Sequence, residues 1–296
     1  MRRIAFVKMH GLGNDFVVLD ARRAPIAIDA AAARALADRH TGIGCDQLIL
    51  IEPAAAPAVE AAVRFFNPDG SEAEACGNGS RCVAWLIGQE SGASRVRLQT
   101  VAGLLDAELL DDGRVAVDMG APRTDWRDIP LAWRSNTLKA DVSAGPLAGP
   151  VCTNMGNPHA TFFVPDADAV DLAALGRVLE HDMLFPERAN IGVATVGAPG
   201  NAPRNVAGPD SERIRLRVWE RGAGITRACG SGACAALVAA HRRGLTGRHA
   251  TVVLDGGELE ILWRDDDEND AAGHVIMTGP ATLVFEGSFD AALLGR

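Results

Sequence analysis

The segment Ala75-Cys76-Gly77-Asn78-Gly79 returns 153 residues later as Ala228-Cys229-Gly230-Ser231-Gly232. Each copy stands directly before a run of good helix formers, so each sets a thiol and several small-residue backbone N–H groups at a helix start. Such a start binds anions and favours the thiolate of a cysteine placed there, because unsatisfied N–H groups and the helix dipole point at it. The copies belong to a longer repeat. Gly13-Asn14 returns as Gly156-Asn157 after 143 residues, Gly103 as Gly257 after 154, and Met119-Gly120-Ala121-Pro122 as Thr278-Gly279-Pro280-Ala281 after 159. The offset grows steadily and never reverses, as in two related halves that differ by loop insertions.

Local patterns repeat in the same order. In the first half, strands are expected at Ile4–Met9 and Phe16–Leu19 around a loop at Gly11–Asp15. A helix capped by Asp29 follows over Ala30–Arg39, then strands at Leu48–Ile51 and Val63–Phe66. The turn Asn67-Pro68-Asp69-Gly70 precedes a helix from Cys76 to about Ile87, and strands at Val96–Gln99, Leu104–Leu110 and Val115–Met119 complete the half. The second half runs through Ala160–Val164, a helix over Ala169–Leu179, Val193–Val196 and Ile214–Trp219. The Cys229 helix then leads to Val252–Leu254, Glu258–Trp263 and Val275–Thr278, with an exposed loop at Gly200–Asp210 and a hairpin tip at Asp265–Asp270. The expected class is α+β: two similar, pseudo-symmetric domains, each a curved, mainly antiparallel sheet around a central Cys-led helix. The first comprises residues 1–120 with 279–296 and carries Cys76; the second, 121–278, carries Cys229.

Of the 296 residues, 48% are hydrophobic, enough apolar mass for two medium domains. A net charge of -9 argues against nucleic acid as a partner, since that needs basic surface. No apolar run approaches the ~18 residues of a membrane span, and the N-terminus lacks a signal-peptide core. The expected setting is cytoplasmic, with no membrane partner. The six cysteines include no Cys-x-x-Cys and no His at zinc spacing, so neither a disulfide framework nor a metal site is expected. Cys45, Cys82, Cys152 and Cys234 read as buried filler.

Two thiols at two helix starts suit one chemistry. A substrate carboxylate would be held by N–H groups near Gly77, Asn78, Gly230 and Ser231. The adjacent carbon would then lie between the sulfurs, one taking its proton as thiolate while the other delivers a proton to the opposite face. The stereocentre inverts without cofactor or metal, and only the singly ionised thiol pair is productive. Other chemistries use the same residues. A single nucleophilic Cys would need a base, for which His159 is the candidate, and leaves the second Cys unexplained. A redox pair lacks thioredoxin-like spacing. Both segments could also be plain tight turns, or an amino-acid binding protein could keep the cradle without turnover.

The flanks of both segments resemble the diaminopimelate epimerase family. The first motif is Phe66-Asn67-Pro68-Asp69-Gly70-Ser71-Glu72-Ala73-Glu74-Ala75-Cys76-Gly77-Asn78-Gly79-Ser80-Arg81-Cys82. The second is Trp219-Glu220-Arg221-Gly222-Ala223-Gly224-Ile225-Thr226-Arg227-Ala228-Cys229-Gly230-Ser231-Gly232. Lys8-Met9-His10-Gly11-Leu12-Gly13-Asn14-Asp15-Phe16 and Gly156-Asn157-Pro158-His159 match as well, so the resemblance covers nearly the whole chain. It implies a cofactor-independent isomerase that interconverts LL- and meso-diaminopimelate in lysine and peptidoglycan precursor synthesis, a homodimer with its site in a cleft between two domains. It further implies Cys76 and Cys229 as the acid–base pair, with Gly77, Asn78, Gly230 and Ser231 on the reacting carboxylate. Asn14, Gln47, Asn67, Asn157, Asn190, Glu220 and Arg221 would hold the remaining substrate groups, with His159 and Glu220 tuning the thiols. Asn and Gln can both donate and accept, as a substrate with an ammonium and a carboxylate at each end requires, and the planar fork of Arg221 matches a carboxylate.

Other families share the fold of the resembled family, and some its two-thiol logic, but differ from this chain in their motifs. Proline and hydroxyproline racemases place His after the first Cys-Gly, where this chain has Asn78. Phenazine-pathway isomerases lack the cysteine pair. Ala75 and Ser80 stand where the resembled family often carries bulkier residues, a difference of packing more than chemistry.

Overall fold

A computed structural model describes residues 2–54, 56–73, 76–197, 213–265 and 273–295. Glu74 and Ala75, the expected 200–210 loop and residues 266–270 of the expected acidic hairpin tip lie outside the described residues. The chain forms two compact units, Met1–Val117 with Gly279–Arg296, and Asp118–Thr278.

The first unit holds β1 (Arg3–Gly11), β2 (Asn14–Asp20), α1 (Ala30–Ala37), β3 (Gln47–Glu52), β4 (Ala61–Phe66), β5 (Glu72–Ala73), α2 (Gly77–Ser91), β6 (Arg95–Thr100), β7 (Gly103–Leu109) and β8, whose span is Val115–Asp118. A strand from the chain's end, Thr282–Asp290, lies antiparallel beside β1. β1 and β2 are antiparallel, β2 and β3 parallel, and β3 and β4 antiparallel. β5 folds back on β4, β4 and β6 are parallel, and β6–β7 and β7–β8 are antiparallel. Each parallel pair is bridged by a helix, as parallel strands require: α1 crosses from β2 to β3 and α2 from β4 to β6.

In the second unit a small two-stranded ribbon, β9 (Ser143–Ala144) and β10 (Leu147–Ala148), precedes β11 (Val151–Asn154), β12 (Pro158–Phe163), α3 (Leu172–Glu180) and β13 (Asn190–Val196). Then come β14 (Arg213–Glu220), β15 (Gly224–Thr226), α4 (Gly230–Arg242), β16 (His249–Leu254), β17 (Gly257–Trp263) and β18 (Val275–Gly279), leaving Thr282–Asp290 as β19. The pairing sequence is that of the first unit: β11–β12 antiparallel, β12–β13 parallel, β13–β14 antiparallel, β15 back on β14, β14–β16 parallel, then β16–β17 and β17–β18 antiparallel. The repeat read from the Gly-rich turns is thus a repeat of topology, in a mainly antiparallel α+β fold.

Several expectations change in detail. The loop expected at Gly11–Asp15 shrinks to Leu12-Gly13, because Gly11 pairs with Asn14 across the hairpin. Leu12 at φ 57 and Gly13 at φ 80 give the two left-handed positions of a type I′ turn, whose twist matches the strands it joins. β5, β9, β10, β11, β15 and β19 lie outside the expected strands. They are either two or three residues long or lack an alternating apolar pattern, and tertiary pairing makes them strands.

The two Cys-led helices are the buried ones. α4 exposes almost nothing from Gly230 to Ala240, and it packs on β11, β12, β13, β14, β16 and β17. Its composition of Gly, Ala, Cys and Ser fits: small residues let a helix be surrounded by a curved sheet. α2 buries Asn78 to Ala84, including Arg81, whose Nε donates to the Pro280 carbonyl at 3.4 Å. A Cβ at Gly79 would lie 2.7 Å from Cε1 of Phe65, so the start of α2 seats against β4 only as glycine. By contrast α1 and α3 are amphipathic. α1 is capped by Asp29, which accepts from the Ala32 N–H at 2.8 Å, and α3 by Asp171, which accepts from Ala174 at 3.1 Å. No described helix is long and apolar enough to cross a membrane.

Candidate active site

Cys76 is the N-cap of α2, with extended backbone at φ -144, and its Sγ accepts the Gly79 N–H at 3.4 Å. The thiol therefore sits at the helix start beside the N–H groups of the first turn, half-buried. In the same unit the structure joins the expected amides in two pairs. Asn78 Nδ2 donates to Asn14 Oδ1 at 3.2 Å, and Gln47 Nε2 donates to Asn67 Oδ1 at 2.9 Å. The side chain of Asn67 in turn donates to Ser71 Oγ at 3.1 Å.

The Asn14 amide is itself fixed from behind. Asp46 Oδ2 accepts from Asn14 Nδ2 at 3.1 Å and from the Asp15 N–H at 3.0 Å, while Arg39 Nη2 bridges Asp15 and Asp46 at 2.6 and 2.7 Å. Lys8, buried, donates to the Asp15 carboxylate and to the Gly44 carbonyl. Burial pulls the Asp15 carboxyl upward, but Arg39 and Lys8 outweigh it and hold the group well below the usual carboxylate range. Asp15, Arg39 and Asp46 lie outside the expected site. Asp15 lies within the matched Lys8–Phe16 segment and Asp46 beside Gln47, whereas nothing local marks Arg39.

In the second unit Cys229 occupies the corresponding N-cap of α4, at φ -122, and is buried. Its Sγ lies 3.7 Å from Ser231 Oγ. Ser231 Oγ in turn lies 3.1 Å from His159 Nε2, which also meets Asn157 Oδ1 at 2.9 Å. Both residues expected to tune the thiols thus bear on Cys229, His159 through Ser231 and Glu220 directly. Thr226, on β15, donates to Glu220 Oε1 and fixes its orientation; it lies inside the second motif but outside the expected site. Gly232 packs tightly beside the thiol: a Cβ there would stand 3.1 Å from the Cys229 Sγ.

The expectation that a helix start lowers the thiol pKa is overturned at Cys229. Burial pushes this thiol well above its ordinary value, and the negative charge of Glu220 pushes it further. The hydrogen bonds from Ser231 and the Gly232 N–H act in the opposite sense and do not compensate. Cys229 is therefore a protonated thiol at neutral pH. Burial, and then the positive charge of Arg221, bring His159 down to about 3, so the imidazole is neutral. Burial also raises Cys45, Cys82 and Cys152 to about 12, which makes them inert packing groups. All six cysteines are free of disulfide bonds.

Asn190 and Arg221 form the remaining cluster. His159 and Asn190 are partners on the parallel strands β12 and β13. Asn190 Nδ2 donates to the Pro158 carbonyl at 3.0 Å, and its Oδ1 accepts the Arg221 N–H at 2.9 Å. The Arg221 guanidinium, exposed, donates to the Glu187 carbonyl at 3.0 Å.

The architecture recurs in solved structures of distant sequence. A hydroxyproline epimerase from Agrobacterium vitis superposes with a TM-score of 0.67 at 16% identity, over 99% of this chain and 95% of that one. A phenazine biosynthesis protein of the PhzF family from Enterococcus faecalis gives 0.67 at 13%, over 98% and 100%. At these identities the likeness is one of fold. Closer in sequence, the diaminopimelate epimerases of Rhodospirillum centenum and Acidiphilium cryptum are 58% and 55% identical over 289 residues, 98% of this chain and 93% and 97% of theirs. The family model for diaminopimelate epimerase matches residues 6–124 and 151–284. The chain belongs to the diaminopimelate epimerase family, and it is an isomerase.

Proposed function

We propose that the chain epimerises LL-diaminopimelate to meso-diaminopimelate by a cofactor-independent two-base mechanism, in lysine and peptidoglycan precursor synthesis. The observation that carries this reading is that each topological repeat ends a short hairpin on a thiol that caps a buried helix. The helix-start N–H groups at Gly77 and Asn78, and at Gly230 and Ser231, suit the two oxygens of the reacting carboxylate.

The different settings of the thiols support a division of labour. Cys229 enters as the acid, because burial and Glu220 keep its proton on. Cys76, whose sulfur accepts a helix N–H, then serves as base in the productive, singly ionised pair. The Cys76 thiolate takes the Cα proton, the electron pair left behind is held by the carboxylate and its N–H donors, and Cys229 protonates the opposite face. The reverse direction exchanges the roles. Asn14, Gln47, Asn67, Asn157 and Asn190 would hold the ammonium and the far end of the substrate, and Arg221 the far carboxylate. The exposed apolar side chains Leu283, Val284 and Phe285 on β19 suit a second copy of the chain, in keeping with a cytoplasmic homodimer.

Cys76→Ala and Cys229→Ala are each expected to lower turnover by roughly 10²–10⁴-fold or more, the scale of a lost general acid or base. A folded single variant that turns over at the wild-type rate would rule the two-base scheme out.

A further inference from the structure

Glu180 is a buried carboxylate, 3% exposed, for which the chemistry above has no use. It is the last residue of α3, where a negative charge opposes the helix dipole. Its position is therefore not explained by the helix. The compensation comes from three donors on other segments. Trp219 Nε1 donates to Oε2 at 2.8 Å, the Gly222 N–H to Oε1 at 3.0 Å, and Arg188 Nη1 to Oε1 at 3.3 Å.

These donors bracket Arg221. Trp219 and Gly222 stand on either side of Glu220-Arg221, in the turn where Gly222 has φ 76. Arg188, itself at a left-handed φ of 59, closes the 185–188 turn whose Glu187 carbonyl receives the Arg221 guanidinium. One turn before Glu180, Gly176 lies so close under the Trp219 ring that a Cβ would stand 2.4 Å from Cδ2. α3 is thus seated on the Arg221 turn through Gly176 and Glu180. The corresponding helix of the first unit, α1, meets the Asn67–Gly70 turn without any carboxylate: Gly70 lies against the Ala30 carbonyl, and Arg34 donates to the Asp69 carbonyl at 3.0 Å. Among the described residues, the buried acid belongs to the half whose turn carries Arg221.

We propose that Glu180 is a positioning residue that fixes the Arg221 turn, so that the guanidinium meets the carboxylate at the unreacting end of the substrate. This rests on the assignment of diaminopimelate as substrate. Glu180→Gln keeps the shape and one acceptor but loses the charge that binds Arg188 and Gly222 together. It is expected to raise KM for LL-diaminopimelate about tenfold and to change kcat less than threefold. Added to Arg221→Ala it should raise KM little further, because both act on one contact. Trp219→Phe removes a single donor and should raise KM a few-fold, which keeps the test decisive if Glu180→Gln does not fold. A folded Glu180→Gln with wild-type KM, a Trp219→Phe with wild-type KM where Glu180→Gln does not fold, or a full further KM increase on the Arg221→Ala background would overturn the proposal. Wild-type protein assayed in parallel separates the two failures: no meso product from wild type refutes the substrate assignment, and this proposal with it.

Discussion

At the scale of single residues, the site is built on groups whose charge state is set by burial. His159 shows the consequence most clearly. Its folded-state value of about 3 lies far below the 6.5 of an exposed imidazole. Between these values the unfolded chain binds a proton that the folded chain refuses. Stability from this residue is therefore fully present above about pH 6.5 and falls as the pH is lowered toward 3. At about 1.4 kcal/mol per pH unit, the loss is roughly 2 kcal/mol at pH 5 relative to pH 7. Denaturant unfolding at the two pH values should show that difference in the wild type and a smaller one in His159→Asn; equal losses would show that the imidazole is not held neutral. Residue identities at the site are legible in the sequence where chemistry and local geometry coincide, as in the two Cys-Gly-x-Gly starts. Glu180 is not legible, because its Trp219 and Gly222 partners lie 39 and 42 residues away and nothing local marks a carboxylate on the last turn of an amphipathic helix. The protonated state of Cys229 is hidden for the same reason: a helix start argues for a thiolate, and only the tertiary burial beside Glu220 reverses it.

At the scale of elements, the helix starts depend on small residues that let a backbone approach a side chain. In open space a helical Gly→Ala change gains up to about 1 kcal/mol from propensity. At Gly79 the added Cβ would stand 2.7 Å from the Phe65 ring, and Phe65 is fully buried, so overpacking decides the sign. Gly79→Ala is expected to destabilise by about 1–3 kcal/mol in denaturant unfolding, whereas Gly247→Ala, with nothing within 4 Å, should change stability by less than about 0.5 kcal/mol. Similar values for the two would contradict this packing. The elements most visible in the sequence are those with strong local signals: the Ala-rich α1 behind Asp29, the Cys-led helices, and alternating strands such as β6 and β14. β11 is hidden because its four residues are all buried and include Cys, Thr and Asn. β19 is hidden because most of it is exposed, so that no face is marked as apolar.

At the scale of the whole molecule, the two units share one order of strand pairings and one pair of crossover helices, with the thiol at the same place in each. This symmetry is legible in the amino-acid sequence because glycine turns stand at matching positions of the two halves even where loop lengths drift. The chemistry assigned to it is also symmetric: one thiol removes a proton and its counterpart returns a different one. Incubation of reduced protein with LL-diaminopimelate in deuterium oxide tests this directly. The two-base account predicts meso product carrying deuterium at the inverted Cα, because the proton delivered comes from a thiol that has exchanged with solvent. Meso product without deuterium, or no meso product and no exchange from folded, reduced protein, would contradict it.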